Sequence, residues 1–295
     1  MRIGIVGLGL MGTALARCLA SRGFELVVYN RTLSRAENLC RELGCVVATT
    51  PRGVAEACRA VILFVSDDEA VHQVALGRGG VAEAPGRVTV INMSTITPME
   101  SLRLYEGLQR RGKAYLEAPV YGSVDAAEGC RLLTMAAGPR EVFEDAKGVL
   151  EAFSSELMYL GDVPRASVLK LALNNIGLAL PAILGESLAL LKAWGVEIEI
   201  LRSVARKLWF GEAVERYWDR ALGEAGSVRF RLALAAKDMH YVARALRERG
   251  VPAHVSSAIA DLYTAAAASG YGDKDYPVAV QHLLRLAGGG SRAGL

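Results

Sequence analysis

The chain runs to 295 residues, 52% hydrophobic and 22% charged, a composition that fits about two globular domains and excludes a disordered or low-complexity chain. Net charge is only +3 at pH 7 and the basic residues are spread along the chain, so neither nucleic acid nor an acidic membrane surface is expected as a partner. The N-terminus enters a strand pattern at once, without the segments of a secretory signal. The five cysteines (Cys18, Cys40, Cys45, Cys58 and Cys130) hold no CxxC pair, and reduced thiols in a cytoplasmic protein are expected.

The apolar run 3–6 predicts a strand, and 13–22 a helix stopped by Gly23. A second strand over 25–29 and a second helix over 34–43, stopped by Gly44, follow. A short strand at 46–49, a helical segment after Pro51, and strands over 60–65 and 88–93 continue the alternation. Runs at 115–118, 132–137 and 157–160 are later strands, with a helix between the last two. Such alternation implies βαβ units and an α/β domain over residues 1–162, built on a mostly parallel, doubly wound Rossmann-type sheet.

Beyond Gly161 the pattern is helical only, over 166–194, 198–208, 212–222, 233–249 and 253–269, with Gly195, Gly250 and Gly270 at the stops. Residues 163–295 are therefore expected to form an all-helical domain. The most apolar stretch, 168–191, is broken by Lys170, Asn174, Asn175, Pro181 and Glu186, and reads as a buried helix, not a membrane span. The tail Gly288-Gly289-Gly290-Ser291 is expected to fray.

Gly7-Leu8-Gly9-Leu10-Met11-Gly12 matches GxGxxG directly after the first strand and at the opening of a helix. In that context Gly7 permits the tight turn, Gly9 lets the backbone approach a pyrophosphate, and Gly12 lets helix and strand pack closely. Chains that bind NAD place Asp or Glu at the end of the second strand, roughly 20 residues on, to bond the ribose hydroxyls. Here the sequence reads Tyr29-Asn30-Arg31-Thr32. A carboxylate would repel a 2′-phosphate and Asn30 does not. Arg31 can pair with that phosphate, Thr32 can hydrogen-bond it, and Arg35 adds a second cation one turn later. NADP is the expected cofactor, with Val65 at the end of a later strand also assigned to it.

Four separated blocks resemble the β-hydroxyacid dehydrogenase family, which includes 3-hydroxyisobutyrate dehydrogenases and semialdehyde reductases. They are the glycine loop; Asn92-Met93-Ser94-Thr95 with Pro98, similar to DxSTxxP; Glu117-Ala118-Pro119-Val120-Tyr121-Gly122-Ser123 with Gly129, similar to DAPVSGG; and Lys170-Leu171-Ala172-Leu173-Asn174-Asn175, similar to KxxxNN. Lys237-Asp238 resembles a shorter fifth element, although alone it would read as a solvated pair.

The resemblance implies that Lys170 assists proton transfer at the reacting oxygen, and that Asn174 holds that oxygen. These two are i, i+4 on one helix and project from the same face. It further implies that Ser94, Gly122 and Ser123 anchor a substrate carboxylate, with Tyr121, Asn175 and Asp238 also lining the substrate. By the same resemblance, Thr95 is expected near the nicotinamide and Lys237 is expected to close over the cofactor. A lysine with its reference pKa near ~10.4 is a good acid for carbonyl reduction and a poor base at neutral pH. Four positions depart from the resemblance, one of them Ser123, which stands at the family's second Gly and can recover a hydrogen bond. Tyr121 stands where the family has a substrate-contacting Ser, while Asn92 and Glu117 replace Asp. The four histidines form no cluster, and neither a metal nor a histidine base is assigned.

The resulting expectation is an NADP-dependent dehydrogenase or reductase of a small β-hydroxyacid, such as 3-hydroxyisobutyrate, serine or threonine, or of its semialdehyde. A glyoxylate or succinic semialdehyde reductase, or an imine reductase of the same fold, is the alternative. A non-catalytic NADP-sensing module is a further one, but such modules lose the lysine retained here as Lys170. The helices leave apolar faces to cover, so a homodimer or homotetramer is expected.

Overall fold

The computed structural model describes residues 1–223 and 226–288; of the tail expected to fray, Gly289-Gly290-Ser291 lie outside the described residues. The chain divides into two compact units, Met1–Lys170 and Leu171–Leu295. The first opens with β1 (Arg2–Val6), α1 (Leu10–Ser21), β2 (Glu25–Tyr29), α2 (Leu33–Leu43), β3 (Val46–Val47), α3 (Pro51–Ala57) and β4 (Ala60–Leu63). It continues through α4 (Asp68–Leu76), β5 (Thr89–Asn92), α5 (Pro98–Gln109) and β6 (Ala114–Glu117). These six strands form a wholly parallel sheet in the order β3-β2-β1-β4-β5-β6, the expected doubly wound arrangement.

Both faces of the sheet are covered, which is why its strands read as continuous apolar runs. Ile3, Ile5, Ile62 and Ile91 pack with Leu15 and Leu19 of α1. Their neighbours in the strands, Val61, Leu63 and Val90, pack on the opposite side with Val54, Val71, Leu104 and Leu108 from α3, α4 and α5. Helices α4 and α5 have clear start signals. Asp67 accepts from the Ala70 N–H at 2.8 Å, and Thr97, ahead of Pro98, accepts from the Glu100 N–H at 3.3 Å.

The later strands do not extend that sheet. β7 (Val120–Tyr121), α6 (Val124–Glu128), β8 (Leu132–Ala136), α7 (Arg140–Phe153) and β9 (Ser154–Tyr159) form a separate three-stranded sheet, antiparallel at β7–β8 and parallel at β8–β9. The second unit is helical. α8 (Arg165–Ala193), which begins in the first unit, leads to α9 (Ile198–Ala205), α10 (Gly211–Leu222), α11 (Leu232–Arg247), α12 (His254–Ala266) and α13 (Ala279–Gly288). Its core holds Trp218, Met239, Ala260 and Tyr263, and the Tyr263 hydroxyl donates to the Leu178 carbonyl oxygen at 2.5 Å.

Two expectations need correction. α8 is buried on one side only: Leu171, Leu178 and Leu188 are covered, whereas Ile176, Ile183 and Leu190 are more than half exposed. Four of the cysteines are paired, not reduced. Gly44, with φ +70°, turns the chain at the end of α2 so that Cys45 returns to Cys40, and the two bond. Cys18 on α1 bonds Cys130, 112 residues away, because α6 packs beside α1; local spacing carries no sign of such a pair. Cys58 stays a buried free thiol.

Candidate active site

The phosphate loop is shaped by the collisions that side chains would make. Gly7 has φ +104°, and a Cβ there would stand 2.3 Å from the Phe64 carbonyl oxygen. A Cβ on Gly12 would stand 2.1 Å from the Gly7 carbonyl oxygen, so α1 can begin against the loop only with glycine there. Gly9 is different, because its Cβ would meet nothing within 4 Å. α1 also has no side-chain cap and no acidic residue in its first turn. Leu10, Met11 and Gly12 therefore present the positive end of a helix beside open space. A dinucleotide pyrophosphate fits this cradle.

Asn30 is engaged by the protein itself. Its Oδ1 accepts the Leu8 N–H at 3.0 Å and its Nδ2 donates to the Thr32 carbonyl oxygen at 3.0 Å. One side chain thus ties the phosphate loop to the turn after β2. Arg31, Thr32 and Arg35 are exposed beside it. Thr32 stands at the start of α2 without capping it, and α2 carries no acid in its first turn. The end of β2 thus carries two exposed guanidinium groups and a hydroxyl, with no carboxylate from Tyr29 to Thr32.

Val65 follows β4 and touches the loop, since a Cβ on Gly7 would stand 2.9 Å from Val65 Cγ1. The Val65 N–H donates to Ser94 Oγ at 2.9 Å, and that hydroxyl donates to the Leu63 carbonyl oxygen at 3.3 Å. The Ser94 N–H goes to Asn92 Oδ1 at 3.1 Å. Ser94 is buried, and its side chain fastens the ends of β4 and β5 to each other. Thr95 comes next in this turn and is partly buried.

Tyr121, Gly122 and Ser123 lead from β7 into α6. A Cβ on Gly122 would come within 2.7 Å of Leu132 Cδ2, while Ser123 Oγ accepts the Ala126 N–H at 3.2 Å and starts α6. Lys170 Nζ lies 4.9 Å from the centroid of the Tyr121 ring, the separation of a cation–π contact. The two residues singled out from separate sequence blocks thus meet.

Sequence reasoning passed over a buried polar chain behind them. Glu117, fully buried at the end of β6, accepts from Ser101 Oγ at 2.6 Å, from the Ala166 N–H at 3.2 Å, and from the Ser167 hydroxyl. The Tyr115 hydroxyl lies 2.8 Å from Ser101 Oγ and accepts from Asn92 Nδ2 at 3.4 Å. Burial pushes the Glu117 carboxyl above its ordinary range, and the hydrogen bonds from Ser101, Ser167 and Ala166 offset only part of that rise. The signal was present in the sequence as a carboxylate closing an apolar strand run.

In the helical unit, Asn174 Nδ2 donates to Asp238 Oδ2 at 2.7 Å, and Lys237 Nζ stands 2.9 Å from Asp238 Oδ1. Asp238 is buried, so the Lys237-Asp238 pair is not a solvated surface pair. Lys237 Nζ also lies 4.8 Å from the centroid of the Tyr241 ring. Asn175 keeps a buried Oδ1 without a hydrogen-bond partner. Asn174 follows Lys170 by one turn of α8.

Residues 2–161 match the family model of the NAD binding domain of 6-phosphogluconate dehydrogenase. Residues 165–283 match that described as the NAD-binding of NADP-dependent 3-hydroxyisobutyrate dehydrogenase. The chain is 30% identical over 290 residues to glyoxylate/succinic semialdehyde reductase 1 of Arabidopsis thaliana, covering 95% of this chain and 98% of that protein. It is 28% identical over 290 residues to 2-hydroxy-3-oxopropionate reductase of Escherichia coli (strain K12), covering 97% and 98%. Among solved structures, that of 3-hydroxyisobutyrate dehydrogenase from Salmonella typhimurium superposes with a TM-score of 0.81 at 25% identity, over 96% of this chain and 99% of that one. The dinucleotide cradle, the parallel sheet, the helical second unit and these matches along the chain agree, and the protein belongs to the NAD(P)-dependent β-hydroxyacid dehydrogenase family.

Proposed function

We propose that the protein is an NADP-dependent oxidoreductase of a short hydroxyacid or its semialdehyde, with Lys170 exchanging the proton. The observation that carries this reading is the Lys170 ammonium, held over the Tyr121 ring directly ahead of the Gly122-Ser123 turn. The named relatives reduce glyoxylate, succinic semialdehyde and 2-hydroxy-3-oxopropionate, which supports a short semialdehyde or hydroxyacid as the substrate.

The cofactor supplies or takes the hydride at the reacting carbon when bound. The Lys170 ammonium donates a proton to the carbonyl oxygen as it becomes a hydroxyl, and the free amine takes it back in the reverse direction. The N–H groups at Gly122 and Ser123 hold the substrate carboxylate, where small residues permit close approach. Asn174, its amide oriented by Asp238, hydrogen-bonds the substrate oxygen. Arg31, Thr32 and Arg35 give the preference for NADP, since no carboxylate stands at the end of β2 to oppose a 2′-phosphate.

The test follows NADPH consumption with glyoxylate, succinic semialdehyde and 2-hydroxy-3-oxopropionate, and NADP reduction with 3-hydroxyisobutyrate and serine, beside Lys170→Ala. Turnover of at least one compound, falling about 10²- to 10⁴-fold in the variant, is expected. No turnover on any of them, or full activity in the variant, overturns the reading.

The exposed side of α8 supports self-association. Ile176, Leu180, Ile183, Ser187 and Leu190, with Trp194 just beyond the helix, follow alternating spacings of four and three, which is the stripe of a helix packed along another helix. A homodimer formed through this stripe is expected by light scattering. Ile183→Glu should give a monomer, and a monomeric wild type would refute the assignment.

A further inference from the structure

We propose that Glu117 is a positioning residue for Lys170, acting through the first turn of α8. The proposal rests on the reading of Lys170 as the proton-exchanging group. Glu117 is wholly buried, and its carboxylate meets Ala166 and Ser167, four and three residues ahead of Lys170 on the same helix. A buried carboxylate is costly unless it is well bonded, and here both oxygens are used. The start of a long helix adds the favourable end of its dipole.

The same short segment touches the helix twice. Glu117 holds its first turn, and Tyr121, four residues on, lays its ring against the Lys170 ammonium. Two contacts about one turn apart fix both the rotation and the axial position of this end of α8. Rigid support of this kind is what a proton donor needs, because its reach must be set to a fraction of an ångström.

Glu117 and Tyr121 are also two of the departures from the family pattern, which has Asp and Ser at these positions. Glutamate reaches one methylene further than aspartate, and tyrosine fills space that serine leaves open. Both changes bear on one helix, so they form a matched pair: the longer carboxylate sets the helix where the larger ring can meet the lysine.

The full-length protein, Glu117→Asp, Tyr121→Ser, the double variant and the milder Ser167→Ala serve as the test. Three measurements apply: kcat and KM on a turned-over semialdehyde with NADPH, the pH profile of kcat, and the labelling rate of Lys170 by acetic anhydride without cofactor. Labelling is read by peptide mass against the exposed Lys207. Glu117→Asp is expected to lower kcat about 10²-fold, corrected for folded fraction, with the KM for NADPH unchanged. Lys170 labelling relative to Lys207 should change in Glu117→Asp and, in the same sense, in Ser167→Ala. The double variant should lose less than the product of the single losses.

If kcat falls only with the folded fraction while labelling and pH profile stay as in wild type, the proposal is overturned. Strict multiplication of the single losses likewise overturns the matched pair. Full activity in Lys170→Ala would sink the underlying functional reading instead, and the labelling ratio would still decide whether Glu117 places the ammonium.

Discussion

Gly9→Ala and Gly12→Ala separate the shape of the phosphate loop from its use. Gly9 has φ −72° and ψ −171°, an extended conformation open to alanine, and its Cβ would meet no protein atom within 4 Å. Alanine in place of glycine at a helix N-cap costs about 0.5–1 kcal/mol. The stiffer unfolded chain returns about 0.4–1 kcal/mol. Net stability should stay within about 1 kcal/mol, a Tm change of no more than ~4 °C. The added methyl nevertheless fills the space above the N–H groups of α1. Losing one charge-assisted hydrogen bond there costs about 1.5–3 kcal/mol, or roughly 10- to 150-fold in Kd. Gly12→Ala behaves otherwise: its Cβ would lie 2.1 Å from the Gly7 carbonyl oxygen, so the helix must move by more than an ångström. Overpacking of that size costs about 1–3 kcal/mol and should lower Tm as well as affinity. Fluorescence titration with NADPH and thermal melting of the cofactor-free protein read both quantities. Wild-type affinity in Gly9→Ala would refute the placement of the pyrophosphate over Gly9. A Tm loss equal to that of Gly12→Ala would refute the loop geometry.

Asn30→Asp should move preference from NADP toward NAD by about 10-fold or more, since a like charge near a phosphate costs on the order of 1–3 kcal/mol. An unchanged ratio of kcat/KM for the two cofactors would show that the end of β2 does not read the 2′-phosphate. Denatured, unreduced protein should take up one alkyl group, at Cys58, and five after reduction; uptake of five without reductant would remove both disulfides. Reduction should lower unfolding free energy by about 5 kcal/mol for the bridge spanning 112 residues, measured by urea titration, and an unchanged urea midpoint would contradict that contribution. Burial pushes the Cys58 thiol up to about 11 from 9.0. The unfolded chain therefore releases this proton first, so the contribution of Cys58 to stability is intact below pH 9 and is lost as pH rises towards 11. A Cys58→Ala variant should lose less stability than wild type across that window, and parallel curves would contradict it.

The legible parts of the sequence were those in which local pattern and global fold agree. Strand runs buried on both faces, and glycines whose Cβ would strike a carbonyl, leave marks in a few neighbouring residues. The Lys170–Tyr121 contact was not legible, because it joins two blocks 49 positions apart, although both residues had been singled out. Cys18–Cys130 failed for the same reason, whereas Cys40–Cys45 was local and was passed over because no CxxC spacing marked it. Ser94 shows a subtler limit. Its type and block suggest a substrate contact, yet its hydroxyl serves Val65 and Leu63. Sequence identifies a polar group, but only packing decides which partner satisfies it.

Asn30 carries this point to the cofactor. Read from the sequence, it mattered for what it lacks, a carboxylate, and the structure adds what it does: it accepts the Leu8 N–H and donates to the Thr32 carbonyl. An aspartate there would keep the acceptor for Leu8 and lose the donor for Thr32, setting its charge against that carbonyl oxygen. The phosphate loop would therefore hold while the turn bearing Arg31 and Thr32 loosened. A change at this one residue acts on preference twice, through the charge it adds and through the cations and hydroxyl it ceases to brace. On the proposed NADP reading, cofactor choice belongs to the whole turn from Asn30 to Arg35, and Arg31→Ala with Arg35→Ala should weaken NADP without strengthening NAD.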